Sequence, residues 1–209
     1  MRNAIRHLST ADPAMAALIR RTGRCGYAQE KREPYQALVR AIAHQQLHGA
    51  AARTILGRFM ALYPQVAFPT PELVLSTDED PLRACGFSRS KIAAIRDIAL
   101  KAHEGRVPTR RAAMHQSDAQ LIERLTVIRG VGRWTVEMLL MFTLNRTDIL
   151  PVDDFGVREG YRRLHGLEAQ PKPRELAAIG EMWSPWRSVA SWYLWRAAEE
   201  RPATPMPSA

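Results

Sequence analysis

The sequence is poor in cysteine: Cys25 and Cys85 are its only two thiols. Two cysteines cannot build a disulfide framework or a four-cysteine metal site. No apolar run approaches the roughly 18 residues that a membrane helix requires. The first residues, MRNAIRHLSTADP, contain arginines but no apolar segment typical of a secretion signal. These absences predict a cytoplasmic protein without membrane spans.

Acidic residues are fewer than basic ones, 21 Asp and Glu against 30 Lys and Arg, which gives a net charge of +9. With 209 residues, 46% of them hydrophobic, the chain is long enough for one domain or two small lobes with a hydrophobic core. The excess positive charge suits a polyanionic partner such as a nucleic acid. By itself it is equally consistent with a soluble protein that binds no nucleic acid.

The most informative segment is residues 125–155, LTVIRGVGRWTVEMLLMFTLNRTDILPVDDF. Gly130 and Gly132 lie between apolar segments and predict a sharp turn. After them, one apolar helix face is predicted from Thr135, Met138, Leu139 and Phe142. A helix start with exposed amides can bind a phosphate oxygen. An ordinary turn between two helices is the alternative interpretation.

Several helix starts are predicted from capping residues. Asp12 and Pro13 can open a short helix that runs to Arg21, because aspartate caps helix N-termini and proline fits the first helical position. Pro34 can open the next helix in the same way. Ser117 is the predicted N-cap of the helix that precedes the glycine turn.

The segment AHQQLHGAA, which follows the helix from Pro34, contains two histidines four residues apart. On one helix, His44 and His48 could bind zinc together. The metalloprotease pattern requires a glutamate directly after the first histidine, where this chain has Gln45, and no third ligand is evident. A zinc site is therefore disfavoured. A capped turn joining two core helices is the plain alternative.

The combination of GVGRWT, a helix and PVDD resembles the helix-hairpin-helix (HhH-GPD) DNA glycosylase superfamily. The resemblance extends over residues 35–195 and is greatest to the alkylbase branch, the 3-methyladenine DNA glycosylase II type. It implies an all-α fold of two helical lobes, with a helix-hairpin-helix motif and the cleft for DNA and the base between the lobes. Only residues 1–33 precede the first core helix, so the chain resembles a short form without the N-terminal β domain of longer members.

The domain organisation predicted on this basis has three parts. Residues 1–33 form an N-terminal helix and loop that pack on the core. Residues 34–200 form the HhH-GPD domain, with the hairpin motif at 125–142. Residues 201–209, RPATPMPSA, form a disordered tail.

The resemblance assigns the catalytic role to Asp154, 20 positions after Trp134. Branches that also cleave the DNA backbone have a nucleophilic lysine at the position of Trp134, and a tryptophan cannot replace it. The expected enzyme is therefore a monofunctional glycosylase without lyase activity. Asp153 is expected to cap a helix or to support Asp154, and Arg158 is a candidate to keep the carboxylate of Asp154 ionised.

The resemblance also implies a base pocket and several DNA contacts. The expected pocket residues are Trp134, Met138, where the family has a tyrosine, and Trp195. A place in the core is the alternative for Trp134 and Trp195, and Trp192 is expected in the core. The expected DNA-binding residues are Gln45, Gln46, Leu47, His48, Gly130, Val131, Gly132, Arg133 and Arg187. Residues 45–48 match the family's wedge loop, with Gln46 or Leu47 filling the gap in the base stack. For Arg187, a surface salt bridge is the alternative.

The resemblance implies a possible monovalent cation at the hairpin and no other cofactor. The backbone carbonyls of Thr126, Ile128 and Val131 match those with which the family holds a monovalent cation that bridges to DNA. The C-terminal region lacks cysteine, so no iron–sulfur cluster is expected.

The predicted function is base excision repair. A monomeric, nucleoid-associated glycosylase would bind double-stranded DNA, flip out 3-methyladenine or 7-methylguanine and hydrolyse the N-glycosidic bond, leaving an abasic site. Two alternatives are a non-catalytic helix-hairpin-helix DNA-binding protein and a glycosylase for oxidised or mismatched bases.

Overall fold

The computed structural model describes residues 1–28 and 30–200 of the chain. Within these residues thirteen α-helices follow one another: α1 Arg2–Ala11, α2 Pro13–Thr22, α3 Pro34–His44, α4 Gly49–Ala61, α5 Pro71–Ser76, α6 Glu79–Ala84, α7 Arg89–His103, α8 Arg110–Met114, α9 Asp118–Thr126, α10 Arg133–Met138, α11 Phe155–Leu164, α12 Pro173–Gly180 and α13 Arg187–Glu199. A π-helical turn, Leu139–Thr143, continues α10, and a 3-10 turn, Glu181–Trp183, continues α12.

The predicted all-α class is confirmed, since the described residues contain no strand. No described helix combines the length and the apolar character needed to cross a membrane. The predicted disordered tail, 201–209, lies outside the described residues.

The chain divides into two compact units. The first combines Met1–Ala28 with the chain from Arg146 onward, and the second is Gln29–Asn145. The last residue of the second unit, Asn145, has a φ of 59°, a left-handed conformation that asparagine adopts more readily than most residues. By this division, helices α1 and α2 belong to the same unit as helices α11, α12 and α13.

The predicted helix starts are confirmed. The Asp12 carboxylate accepts hydrogen bonds from the N–H groups of Ala14 and Met15 at 2.9 and 3.1 Å and so caps α2. The Ser117 hydroxyl accepts from the N–H of Gln120 at 3.2 Å, while the Gln120 side chain accepts from the N–H of Ser117 at 2.8 Å. This reciprocal pair is a capping box, which satisfies two N–H groups at the start of α9. Pro34 is the first residue of α3.

The first unit is organised around the contact between α11 and α13. Its core contains Leu8, Met15, Leu18, Val157, Leu176, Trp183, Tyr193 and Leu194. At Gly160, an added Cβ would lie 1.9 Å from the carbonyl oxygen of Leu194. Only a glycine allows the two helices to approach this closely. Helix α1, which was not predicted from the sequence, buries Ala4 and Leu8 on one face.

The second unit is organised around α7, which buries Ile92, Ala94, Ile95, Ile98 and Ala99. Leu38, Val39 and Ile42 of α3 are also buried. Around Phe59, the rings of Tyr63 and Phe87 pack edge to face, each with its centroid 5.6 Å from that of Phe59. This unit carries the glycine turn between α9 and α10.

Candidate active site

Asp154 is the N-cap residue of α11 and belongs to the first unit. Its Oδ1 accepts a hydrogen bond from the backbone N–H of Val157 at 2.7 Å and a second from the indole Nε1–H of Trp195 at 2.8 Å. The backbone N–H of Asp154 donates to the carbonyl of Pro151 at 3.0 Å. The turn and the two donors fix the carboxylate in orientation.

The indole of Trp195 lies close to the start of α11. An added Cβ at Gly156 would lie 2.8 Å from Cδ1 of Trp195 and 3.2 Å from Oδ1 of Asp154. Real Cβ atoms essentially never come within 3.0 Å of another heavy atom, so glycine at this position permits the indole to reach the carboxylate.

The sequence suggested two neighbours for Asp154, which are Asp153 and Arg158. Asp153 is exposed. The side chain of Arg158 donates its Nε–H to the carbonyl of Pro171 at 2.8 Å. The hydrogen bond from Trp195 to Asp154 was not predicted from the sequence, in which Trp195 is expected either in the base pocket or in the core. Its two members are 41 residues apart, and no local pattern connects them.

Trp192 packs against the core of the first unit, as predicted, although it is only partly buried. The guanidinium of Arg196 lies 5.1 Å from the centroid of its ring. Of the two tryptophans on this face of α13, Trp195 therefore contacts the catalytic candidate and Trp192 supports the packing.

The predicted hairpin is present in the second unit, between α9 and α10. Gly130 has a φ of 76°, and Gly132 is the N-cap residue of α10. The Asp97 carboxylate of α7 accepts a hydrogen bond from the N–H of Arg129 at 2.7 Å. An added Cβ at Gly130 would lie 3.1 Å from Cβ of Ala94, so the turn packs closely on α7. The sequence requirement for glycine at this turn is thus both conformational and steric.

The helix after the hairpin differs in one respect from the prediction. It is α-helical only as far as Met138 and continues as a π-helical turn, a geometry found frequently at functional sites. The predicted apolar face, formed by Thr135, Met138, Leu139 and Phe142, lines a cavity of about 450 Å³ inside this unit. Pockets for small ligands are typically about 300–1,000 Å³. Trp134, at the start of the helix, is 45% exposed.

The same cavity has a cationic part. Arg32, Arg40, Arg53 and His44 line it together with one carboxylate, that of Glu30, which forms an ion pair with Arg32. Burial, reinforced by the charge of Arg32, lowers the pKa of Arg40. The cavity therefore combines an apolar wall with a positively charged one.

The predicted wedge loop, residues 45–48, connects α3 and α4. Gln46 has a φ of 56°, and the side chains of Gln46, Leu47 and His48 are exposed. Gln45 is less exposed and donates its side-chain N–H to the carbonyl of Gly130 in the hairpin at 3.0 Å. His48 is the N-cap of α4, whereas His44 ends α3, so the two histidines do not share one helix face.

Arg187 forms a bidentate ion pair with Asp148 in the first unit. Its Nε and Nη2 donate to the two carboxylate oxygens at 2.8 and 2.9 Å, and its Nη1 donates to Glu181 at 3.1 Å. Burial of Asp148 opposes ionisation, but the hydrogen bonds from Arg187 and Ser184 outweigh it and lower the pKa of this carboxyl. This is the salt bridge considered as the alternative to DNA binding.

Two of the carbonyls expected to hold a cation are in the hairpin turn. The Ile128 carbonyl accepts a hydrogen bond from the N–H of Val131 at 3.1 Å, which closes the turn. A carbonyl oxygen has two lone pairs, so this bond leaves an acceptor position for a cation. The described residues contain no group of three or more His, Cys, Asp or Glu side chains that could hold a metal.

The glycine turn between two helices places the second unit among helix-hairpin-helix proteins. A family model for the HhH-GPD superfamily base excision DNA repair proteins matches residues 39–185. The chain therefore belongs to the HhH-GPD superfamily of base excision DNA repair proteins.

Relatives extend this assignment to nearly the whole chain. DNA-3-methyladenine glycosylase 1 of Schizosaccharomyces pombe is 45% identical over 195 residues, which cover 92% of this chain and 86% of the relative. The alkylbase DNA glycosidase-like protein mag2 of the same organism is 34% identical, over 93% of this chain and 92% of its own. The solved structure of an S. pombe 3-methyladenine DNA glycosylase in complex with abasic DNA matches with a TM-score of 0.87 at 43% identity, covering 97% and 99% of the two chains.

Proposed function

We propose that this chain is a monofunctional DNA glycosylase that releases N-alkylated purines, 3-methyladenine and 7-methylguanine, from double-stranded DNA. The observation that carries this proposal is the carboxylate of Asp154, fixed at the start of α11 by two hydrogen-bond donors. The family assignment and the names of the relatives support the reaction class.

The proposed role of Asp154 is electrostatic. N-alkylation gives the purine a positive charge and makes it a good leaving group, so little acid assistance is needed. The remaining barrier comes from positive charge that develops on the deoxyribose as the glycosidic bond lengthens. A carboxylate held in one orientation stabilises that charge without reorganisation and can orient or deprotonate the attacking water.

Trp134 supports the monofunctional assignment. The indole has no nucleophilic amine and cannot form the covalent adduct with the sugar that precedes strand cleavage. Its ring is 45% exposed and can stack on an extruded base, and a cationic purine is attracted to an aromatic face. Incubation with damaged duplex and borohydride should therefore trap no protein–DNA adduct, and a trapped adduct would contradict this assignment.

The hairpin and the wedge loop are the proposed DNA contacts. At the hairpin, Gly130 and Gly132 leave the backbone accessible to a phosphate, and the carbonyls of Thr126, Ile128 and Val131 would hold the monovalent cation. At the wedge loop, Gln46 and Leu47 are exposed, which suits a side chain that fills the gap left by a flipped nucleotide.

The test is the release of free base from methylated duplex DNA by the wild type, Asp154→Asn and Asp153→Asn. Asparagine caps a helix about as well as aspartate, so Asp154→Asn should fold and bind DNA while losing most of its activity. Asp153→Asn changes the exposed neighbouring carboxylate and serves as the matched control.

Two outcomes would contradict the proposal. Full activity in Asp154→Asn would remove the catalytic assignment. DNA binding without base release by the wild type would favour a non-catalytic helix-hairpin-helix protein, and release of oxidised or mismatched bases instead would change the substrate class.

A further inference from the structure

The ammonium group of Lys91, on the first turn of α7, holds the wedge loop by its backbone. Lys91 Nζ donates to the carbonyl oxygens of Ala43 and Gln45 at 3.0 and 2.8 Å. Among the described residues no carboxylate forms an ion pair with Lys91, and burial lowers its pKa. A partly buried cation without a counter-charge is costly, so its two carbonyl contacts are the interactions that hold it there.

Asp97 holds the hairpin from the same helix. Six residues after Lys91, about 9 Å further along the helix axis, its carboxylate accepts the N–H of Arg129 at 2.7 Å. Between them, Ala94 is the residue against which Gly130 packs. Residues three apart on a helix are neighbours, so Lys91, Ala94 and Asp97 form one slanted row on α7.

Gln45 connects the two loops directly. Its side-chain N–H donates to the carbonyl of Gly130 at 3.0 Å, while its own carbonyl accepts from Lys91. A hydrogen bond therefore joins each pair of these elements: the wedge loop to the hairpin, the hairpin to α7, and α7 to the wedge loop. Because the buried isoleucines of α7 lie in the core of the second unit, the helix is a rigid base for both loops.

We propose that Lys91 and Asp97 are positioning residues, which set the wedge loop and the hairpin at a fixed separation on α7, and that Gln45 links the two loops instead of contacting DNA. This inference rests on the proposed function, in which the hairpin binds a phosphate and a side chain of the wedge loop fills the gap left by the flipped base. DNA binding and base extrusion are then coupled through α7, because a hairpin that is bound to DNA also positions the wedge loop against the duplex.

The first experiment compares Lys91→Met with the wild type under single-turnover conditions. One substrate carries 7-methylguanine opposite cytosine, and the other carries it opposite an abasic-site analogue. An unpaired base costs less to extrude, so the second substrate depends less on the wedge. We expect release from the paired substrate to fall by about tenfold or more, equivalent to about 1.4 kcal/mol, and release from the unpaired one by no more than about threefold.

Lys101→Met is the matched control, because Lys101 is on the same helix but pairs with Glu104 at 3.0 Å. Both of its rates should equal those of the wild type. An equal fall on both substrates in Lys91→Met, or no fall, would overturn the proposal, since a purely structural lysine would not distinguish them. If Lys91→Met does not fold, Gln45→Met tests the link between the two loops, because it removes the donor to the Gly130 carbonyl and keeps the backbone carbonyl that Lys91 contacts. Release should again fall more on the paired substrate, and an equal fall on both substrates or no fall would overturn the proposal.

The second experiment concerns Asp97 and the affinity for undamaged duplex DNA. Asp97→Ala removes the acceptor of the Arg129 N–H and should weaken binding by about tenfold, whereas Asp97→Asn keeps an acceptor oxygen and should lose less. Lys91→Met should bind within about twofold of the wild type. Equal affinities for Asp97→Ala and the wild type would show that Asp97 does not position the hairpin.

These measurements also separate the two proposals. If the wild type releases no base, the proposed function fails. The fluorescence of 2-aminopurine beside the lesion site would still report whether Lys91→Met unstacks the duplex less than the wild type. Equal unstacking by both proteins would overturn the positioning role independently.

Discussion

Replacing Trp195 by phenylalanine tests whether its indole N–H supports the proposed role of the Asp154 carboxylate. Phenylalanine keeps an aromatic ring against the core of the first unit but removes the donor that lies 2.8 Å from Oδ1 of Asp154. Of the two donors described for Oδ1, the N–H of Val157 would then remain. A hydrogen bond to a charged group contributes about 1.5–3 kcal/mol, which corresponds to roughly 10- to 150-fold in rate.

The assay is single-turnover release of 7-methylguanine at saturating enzyme, together with the affinity for the same duplex. A base-stacking role for Trp195 alone would mainly affect affinity, and phenylalanine would preserve much of it. The hydrogen bond predicts a fall in rate at saturation with a smaller change in affinity. A wild-type rate in Trp195→Phe would refute the reasoning, and Trp192→Phe, on the same helix, is the control expected to keep that rate.

Gly156→Ala tests the same contact without changing either partner. The new Cβ would lie 2.8 Å from Cδ1 of Trp195, so the ring must move and its hydrogen bond to Asp154 must lengthen. The rate should fall by a similar factor to that in Trp195→Phe. Combining the two substitutions should add little further loss, because both disrupt one interaction.

Three further predictions concern the surrounding structure. Gly160→Ala should destabilise the protein by about 3 kcal/mol or more in denaturant unfolding, since its Cβ would lie 1.9 Å from the carbonyl of Leu194. Arg187→Met should lower the free energy of unfolding by about 1–3 kcal/mol near neutral pH. Burial raises the pKa of Asp148, but the hydrogen bonds from Arg187 outweigh it and lower that pKa. The stabilisation by this ion pair is therefore present above the unfolded-state pKa of about 4 and is lost as the pH falls through the folded-state pKa. Unfolding curves near pH 7 and pH 3 should therefore show the difference between wild type and variant shrinking at low pH. Gly130→Ala should weaken binding to any duplex in a titration and cost about 1–2 kcal/mol of stability, because its φ is 76°.

Local sequence rules predicted the parts of this fold that depend on neighbours in the chain. Asp12 and Ser117 cap the helices they were expected to cap, and Pro34 begins α3. Each prediction rests on a hydrogen bond or a fixed dihedral angle within a few residues, which a single sequence displays. The two glycines of the hairpin belong to the same class, because a turn of this kind requires conformations that other residues resist.

Long-range contacts could not be predicted in the same way. The indole of Trp195 and the carboxylate of Asp154 are 41 residues apart, and Lys91 is 46 residues from Gln45. Tryptophan is common both in cores and in pockets, and a lysine on a helix is usually solvated. Which role each takes depends on the packing of separate helices, and a single sequence does not show that packing. The π-helical turn after Met138 was not predicted either.

The two capping aspartates show what the fold alone requires at position 154. Asp12 accepts two backbone N–H groups at the start of α2, and Asp154 accepts one at the start of α11. Capping does not need a negative charge, because asparagine and serine cap about as well as aspartate. The indole of Trp195 adds a hydrogen bond that is strongest to a charged acceptor. Helix capping therefore accounts for the position and orientation of the Asp154 carboxylate, whereas the proposed reaction requires its charge.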